Sequence, residues 1–558
     1  MTSAPHTISP RAPGLVGRLG RPRSQGLCLL VCLIALAVAG KAVVVDNLDV
    51  DCFWHLRVAE QLQSDGIGPL VDHLSFASIQ SPWTPYSWLA DLGMKALWDF
   101  GGYRAAVLAG ALMQAAFVLG VAAICRTARA ADCDRARFLP PAGALDDFDR
   151  RPPRMCAAAA TAFATFISVP YLSFRPVTAA LVVMTACCWL LVRDRRMGER
   201  SGLVWAVVPA TALTVNLHLY AGFIPAWIAA LLAGSLLERW FVAEIAERRE
   251  AERRVVRYFL LLCATSAACL LTPMLPGILA VGLHYHYRDP MVASGFIGEM
   301  RPFFLGSAGH VSGVLVAACL LCILVRRRRL RPGEQVWMVL SVILLSRLGR
   351  FAPIFALAAA PQLAVTLPRW SDVPLGKPLV RIFLAAISVL GVFRLALQFP
   401  TRSVSIDAWL NRNGAEGFPS AAADYVRDHV PRATGRLVTE FSWGGFLEWR
   451  LAGRYQVLLD GRTQLFTPEF WYATYLGGPE PRRRLLAGVQ ADAAILPAGP
   501  TGSRSMFRHS LVQLGWTTAY KDDLSEVMVP PCRRARAPEA TGKSWPFAGI
   551  REILNVEY

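Results

Sequence analysis

Apolar runs of about 16 to 22 residues recur along the chain up to roughly residue 400, and a run of that length crosses a ~30 Å hydrocarbon core as one helix. They lie near 27 to 45, 104 to 125, 155 to 171, 176 to 192, 203 to 219, 221 to 237, 257 to 274, 311 to 325, 335 to 348, 351 to 367 and 379 to 397. The pattern predicts a polytopic α-helical membrane protein with about eleven spans. The connections alternate in charge. Arg126 to Arg154, Arg193 to Arg200, Arg239 to Arg257, Arg326 to Arg331 and Arg369 to Arg381 are arginine-rich, and the loops between them carry few basic residues. Arginine-rich loops stay cytoplasmic. An odd number of spans, with the flank Arg18, Arg21 and Arg23 inside, puts everything after about residue 400 outside the cytoplasm. The first run exceeds a signal-peptide core and lacks a small-residue cleavage site, so it reads as a retained helix.

Three outside segments are too long to be turns. The first, 46–102, reads as two short amphipathic helices, about 51 to 64 and 86 to 99, lying along the outer membrane surface. The second is 272–310. The third is the tail, where hydrophobic runs shorten and Gly, Pro and charge return. Leu437 to Phe441, Gln456 to Asp460, Ala491 to Leu496, Thr517 to Tyr520 and Glu526 to Val529 read as strands. Helices are expected near Ser420 to His429, Gly445 to Leu451 and Pro481 to Val489, an alternation that predicts a small α/β domain. The domains are thus a basic cytoplasmic N-terminus, 1–26, a transmembrane domain, 27–399, and an extracytoplasmic α/β domain, 400–558.

Composition narrows the class. With 54% hydrophobic residues and a mean hydropathy of +0.38, the composition and the repeated apolar runs together argue against a soluble globular fold. The formal charge of +18 resides mainly in topology-setting arginines, which argues against a nucleic-acid partner. The 13 cysteines fall mostly inside apolar runs, where they act as small buried hydrophobes. The Glu and Arg alternation from Ala243 to Arg254 reads as a solvated helix face.

Chemistry concentrates where the first apolar run ends, at Asp49-Val50-Asp51-Cys52-Phe53-Trp54-His55-Leu56. If Asp51 opens a helix, His55 falls four residues on and shares its face, with Arg57 slightly around it. A carboxylate beside imidazole and guanidinium can act as a general base, ligate a metal, or hold a phosphate-bearing donor through the cation. Helix capping by Asp49 or Asp51 accounts for the same residues equally well. Glu299 and Arg301 sit in the second outer loop, on the side of Asp51. Arg350 stands at the outer end of a helix pair, where a charge either snorkels or serves a polar site. His218 occupies another outer turn. In the tail, Trp443-Gly444-Gly445 follows one strand and Asp460-Gly461-Arg462 ends the next, and open α/β sheets bind ligands at strand ends of this kind. No Walker loop, GxGxxG or GxSxG occurs.

This ordered set resembles the GT-C superfamily of integral membrane glycosyltransferases, in a bacterial branch with an Asp-x-Asp-x-aromatic-Trp-His-Leu signature. It is distantly similar to oligosaccharyltransferase catalytic subunits and protein O-mannosyltransferases. Further matches are Asp72-His73-Leu74-Ser75-Phe76, Trp88-Leu89, Arg175-Pro176, Asn216-Leu217-His218, Pro273, Glu299, Arg350, Trp443-Gly444-Gly445 and Asp460-Gly461-Arg462. The branch's His-Glu is here Tyr86-Ser87, and Thr272 and Phe351 stand where it carries Asn. The resemblance implies transfer of a sugar from a polyprenyl-phosphate donor to an extracytoplasmic glycan, lipid or protein acceptor, at a bacterial inner membrane whose lipid is itself a partner. It ranks Asp51 above Asp49 as the catalytic carboxylate. It assigns substrate binding to His55, Arg57, Asp72, His73, Trp88, His218, Glu299, Arg301 and Arg350, with Trp443, Asp460 and Arg462 on the acceptor side. No cofactor is certain; a divalent cation, Mg or Mn, would be held by Asp51 and Glu299. The rival expectation is a non-catalytic lipid- or glycan-binding scaffold or a transporter, although a transporter places its charges near the midplane rather than at one interface.

Overall fold

The computed structural model describes residues 49–79, 81–136, 154–241, 244–287, 289–305, 309–367, 406–407, 417–430, 432–498 and 505–531. The expected spans at 27 to 45 and 379 to 397, and the N-terminal segment 1–26, lie outside the described residues.

Nine of the eleven apolar runs fall on helices. In chain order the described helices are α1 (Cys52–Asp65), α2 (Trp88–Ala136), α3 (Arg154–Ser168), α4 (Pro176–Arg196), α5 (Val207–Leu217), α6 (Phe223–Phe241), α7 (Ile245–Ala268), α8 (Leu275–Tyr287), α9 (Gly309–Val325), α10 (Pro332–Arg347) and α11 (Ala352–Thr366). Among the described residues three helical stretches, Trp88–Arg129, Pro176–Arg195 and Leu219–Phe241, are long and apolar enough to cross a membrane. Shorter apolar helices accompany them.

Helix α11 is apolar all round, and such a helix belongs inside; every one of its residues is buried. Its small side chains let α3 and α2 close on it. The buried Arg129 of α2 donates to the Val365 carbonyl at 2.6 Å, satisfying an orphan acceptor at the α11 C-terminus. Helices α6 and α10 cross backbone to backbone, because a Cβ on Gly234 would lie 2.0 Å from the Gly333 nitrogen.

Among the described residues, the arginine-rich connections at 193–200, 239–257 and 326–331 gather at one end of the bundle. Arg257 pairs with Asp194 at 2.8 Å, Arg254 with Glu238 at 2.7 Å, and Arg331 with Glu199. The Glu and Arg run therefore forms the first turns of α7, continuous with the apolar run behind it, and several of its charges are paired.

At the opposite end the tail builds a five-stranded sheet in the order β2-β1-β3-β5-β4, from β1 (Gly435–Thr439), β2 (Tyr455–Val457), β3 (Ala493–Pro497), β4 (Thr517–Lys521) and β5 (Ser525–Val529). β1 runs parallel to β2 and β3; β5 is antiparallel to both β3 and β4. The edge of β2 does not face solvent. Residues 74–76 of the first loop pair with it, through Val457 N to the Leu74 carbonyl at 3.0 Å and Phe76 N to the Val457 carbonyl at 3.1 Å.

The first loop contains the two expected helices, and a break at Gly101 and Gly102 separates the second from the rest of α2. α1 departs from a surface-lying helix. Its apolar side chains are buried on more than one face, since the tail helix Gly444–Arg450 packs on it and Phe53 meets Phe446 edge-on at 5.2 Å. The tail, not lipid, takes up the apolar face that the sequence pattern assigns to the membrane surface.

Candidate functional site

A cavity of about 250 Å³ opens between the end of the helix bundle and the sheet domain. The first loop contributes Asp49, Asp51, Trp54, His55 and Tyr86; helix ends contribute Arg175, His218 and Arg350; the second loop contributes Glu299; the tail contributes Phe441, Gly461 and Thr463.

Local geometry explains how the acids come forward. Asp51 N donates to Asp49 Oδ1 at 3.0 Å and Cys52 N to the Asp49 carbonyl at 2.9 Å, so Asp49 shapes the turn that opens α1. Asp51 stands at the N-cap position but its side chain makes no capping hydrogen bond. Its carboxylate turns instead to Arg175. That arginine precedes Pro176, whose ring forces it into extended backbone at the start of α4. One Arg175 nitrogen, Nη2, binds Asp51 Oδ2 and lies 2.7 Å from Asp49 Oδ1; the other, Nη1, reaches Glu299 Oε2 at 3.3 Å. Glu299 Oε1 lies 3.6 Å from Arg350 Nη2. The Arg350 turn is fixed by Gly349 N bonding the Arg301 carbonyl at 2.7 Å and by the Tyr220 hydroxyl donating to the Arg350 carbonyl at 3.2 Å.

Three carboxylates and two guanidiniums thus alternate along one wall. Burial pushes the Asp49 carboxyl up to about 6, against the pull of Arg175. Burial also raises Glu299, but Arg350 and Arg175 outweigh it and hold the group below the usual carboxylate range. His218 is driven well below the ordinary imidazole range by burial and by Arg350, and stays neutral.

Beside this wall stands a second constellation. His55 Nδ1 lies 2.7 Å from Asp91 Oδ1, and the fully buried Asp91 also accepts from the Ser87 hydroxyl at 3.1 Å. Trp54 stacks on His55 with ring centroids 3.5 Å apart, and its buried Nε1 has no hydrogen-bond partner. Gly461 brings the tail backbone against the acids, since a Cβ there would lie 2.2 Å from Asp51 Oδ1 and 3.0 Å from Trp54 Nε1.

Of the residues singled out in the sequence, Asp49, Asp51, His55, His218, Glu299 and Arg350 share this cavity. Trp54, Tyr86, Arg175, Pro176 and Gly461, quoted in the motifs without a site role, line it too, and the other residues given a site role do not. Arg57 pairs with Glu60 along α1, and the exposed His73 lies 3.9 Å from Asp65. Arg301 folds back onto the Gly295 carbonyl. Trp88 donates to Asn216 Oδ1 at 2.9 Å, tying α2 to α5. Trp443 is packed in the tail core. Asp72, Asp460 and Arg462 form a buried ionic knot with Glu448 between the first loop and the tail. Burial drives the Glu448 carboxyl well above its usual range, with Asp460 adding to the effect.

Arg175, Asp91 and Ser87 were not among the expected site residues. Arg175 carried two signals: the Arg175-Pro176 match of the resemblance, and its place as an isolated arginine in an otherwise arginine-poor outer connection. Asp91 carried none, since an acid in the first turn of an amphipathic helix reads as a dipole partner.

As they stand, Asp51 and Glu299 do not fit a resident divalent cation, because both direct an oxygen to the guanidinium between them. Among the described residues no group of three His, Cys, Asp or Glu side chains is arranged to hold a metal ion.

No family model matches the chain, and no curated protein matches it. Solved structures do. The chain is similar in fold to the Archaeoglobus fulgidus oligosaccharyltransferase tethered with an acceptor peptide, at 12% identity and a TM-score of 0.46, over 84% of this chain and 69% of that one. It is likewise similar to ArnT from Cupriavidus metallidurans bound to undecaprenyl phosphate, at 13% identity and a TM-score of 0.45, over 91% of this chain and 98% of that one.

Proposed function

We propose that the chain is an integral membrane glycosyltransferase that moves a sugar from a polyprenyl-phosphate donor to an extracytoplasmic glycan, lipid or protein acceptor. One observation carries the reading: acids and cations from four separate segments converge on a cavity at the end of an apolar helix bundle, opposite its arginine-rich end. The positive-inside rule then sets the cavity on the outer face of a bacterial inner membrane, where the donor headgroup of a lipid-linked sugar lies. The first-loop resemblance agrees with this placement, and eleven spans with an extracytoplasmic tail complete the topology.

In this reading Asp51, with Asp49 beside it, engages the acceptor hydroxyl and the anomeric centre. Arg350 faces the departing phosphate, where a fixed guanidinium stabilises charge that develops as the bond breaks. Arg301 is too far committed to the Gly295 carbonyl to share that role. Phe441, Gly461 and Thr463 offer an acceptor wall supplied by the tail, so acceptor selection belongs to residues outside the bundle.

The test is a turnover assay. Purified protein is incubated with a panel of radiolabelled C55 polyprenyl-phosphate hexoses and pentoses plus envelope extract. Protein-dependent release of polyprenyl phosphate together with labelled acceptor is expected, and its absence across the panel would sink the proposal.

A further inference from the structure

We infer that His55, oriented by Asp91, is the base that takes the acceptor proton, leaving Asp51 as an orienting carboxylate. The inference rests on the transferase reading and adds a residue role to it.

Asp51 Oδ2 is bonded to the Arg175 guanidinium and is taken up by that ion pair, while Oδ1 faces the tail backbone at Gly461. His55 meets no such obstacle. It lies one turn further along the same face of α1 and lines the cavity. Its Nδ1 is 2.7 Å from Asp91, and a carboxylate can only accept, so Nδ1 carries the hydrogen and Nε2 keeps a lone pair. Asp91 is itself held by the Ser87 hydroxyl, and Trp54 stacking fixes the plane of the ring. A base oriented by a buried third group is the arrangement that activates hydroxyl nucleophiles elsewhere.

The second cavity histidine has the opposite tautomer. His218 Nδ1 accepts from Tyr220 N at 3.3 Å, so its hydrogen sits on Nε2, and the ring can donate but not accept at that atom. His218 therefore belongs with Arg350 on the phosphate side, and His55 on the acceptor side. The step balances as follows. The acceptor O–H proton passes to His55 Nε2 as the acceptor oxygen bonds the anomeric carbon. The bond from that carbon to the phosphate oxygen breaks with its electron pair, and the polyprenyl phosphate leaves. His55 then releases its proton to water. The titratable and charged groups around His55 among the described residues are Asp91 from α2, Asp49 and Asp51 at the start of its own helix, Tyr86 in the first loop, and Arg175, His218, Glu299 and Arg350 across the cavity; the tail residues that line it, Phe441, Gly461 and Thr463, carry no charge.

The experiment compares kcat and KM of wild-type protein, His55→Gln, His55→Gly and Asp91→Asn with the labelled polyprenyl-phosphate donor that wild type turns over. His55→Gln is expected to lose roughly 10²–10⁴-fold in kcat with little change in KM. Asp91→Asn is expected to melt near the wild-type temperature and to lower kcat with little change in KM, because an amide that can turn its NH2 to the ring no longer fixes the tautomer with the lone pair on Nε2. Imidazole added to His55→Gly is expected to restore part of the rate. His55→Gln retaining more than a tenth of wild-type kcat, or no rescue of His55→Gly by imidazole, would overturn the assignment of the base alone. Wild-type protein that turns over no donor would remove the transferase reading, and the base with it.

Discussion

Arg462 at the end of one tail strand and Asp72 in the first loop form a fully buried ion pair, with Nη1 and Oδ1 2.7 Å apart. Both were expected to bind substrate. Their burial makes them instead the fastening between the sheet domain and the loop that carries Asp51. Asp460 shares the same guanidinium, and Glu448 Oε1 lies 3.5 Å from it. Removing one side of such a cluster leaves uncompensated buried charge and costs about 3–5 kcal/mol. Arg462→Met should therefore lower the melting temperature sharply and expose the tail to limited proteolysis. A variant that melts like wild type would show that the knot is not a fastening.

Gly461→Ala tests how closely the tail approaches the acids. The added methyl would sit 2.2 Å from Asp51 Oδ1, and a carboxylate at the mouth of a cavity can swing away where backbone cannot. The expected outcome is a stable protein whose turnover falls by about 10²-fold, the scale set by misplacing a reacting group by an ångström. Equal melting temperatures with equal turnover would separate the tail backbone from the site.

The helices and strands were legible because their signals are local. Alternation bounded by Gly and Pro located β1 through β5 to within a few residues, and Ser420–His429 matches its expected bounds. The site was legible only in part. Asp49, Asp51 and His55 lie close together at the start of α1, so spacing sufficed. Arg175 joins them from 124 residues away, which periodicity cannot report. Asp72 was named by the resemblance and Arg462 by its place beside glycine at a strand end; such a charge marks either a ligand site or a satisfied knot, and only the 390-residue closure between the two decides which. α1 looked like a surface helix because the tail that covers it lies far along the chain.

Asp49 should make stability depend on pH in a definite direction. Its folded-state carboxyl is pushed up to about 6, above the value of about 4 for an exposed aspartate. The folded state therefore binds the proton more tightly than the unfolded one. The stabilisation is complete below pH about 4 and is lost as pH rises through about 6. Asp49→Asn keeps the carbonyl that accepts from Asp51 N but removes the titration. Its melting temperature should match wild type at pH 4 and exceed it at pH 7.5. A variant that melts lower than wild type at pH 7.5 would mean that the ionised carboxylate gains more from Arg175 than burial takes away.

Arg175 supplies the positive charge that a divalent cation would otherwise bring to Asp49, Asp51 and Glu299, so turnover should survive exhaustive chelation and should not rise on adding Mg²⁺ or Mn²⁺. The substitution series carries the sharper test. A guanidinium presents several donors in a fixed plane, which lets one side chain reach three carboxylates from two nitrogens. Lysine keeps the charge as a compact ammonium and cannot span the same set. Arg175→Lys should lose at least about tenfold in turnover, corresponding to about 1.4 kcal/mol of transition-state stabilisation. Arg175→Gln should lose far more, because three acids then face one another with only Arg350 to balance them, and their mutual repulsion favours protonation. Raising the assay pH should deepen the Arg175→Gln defect as those acids ionise. A lysine variant as active as wild type would reduce Arg175 to a simple counter-charge, and chelation that abolishes wild-type turnover while Arg175 is intact would show that the guanidinium does not stand in for a metal.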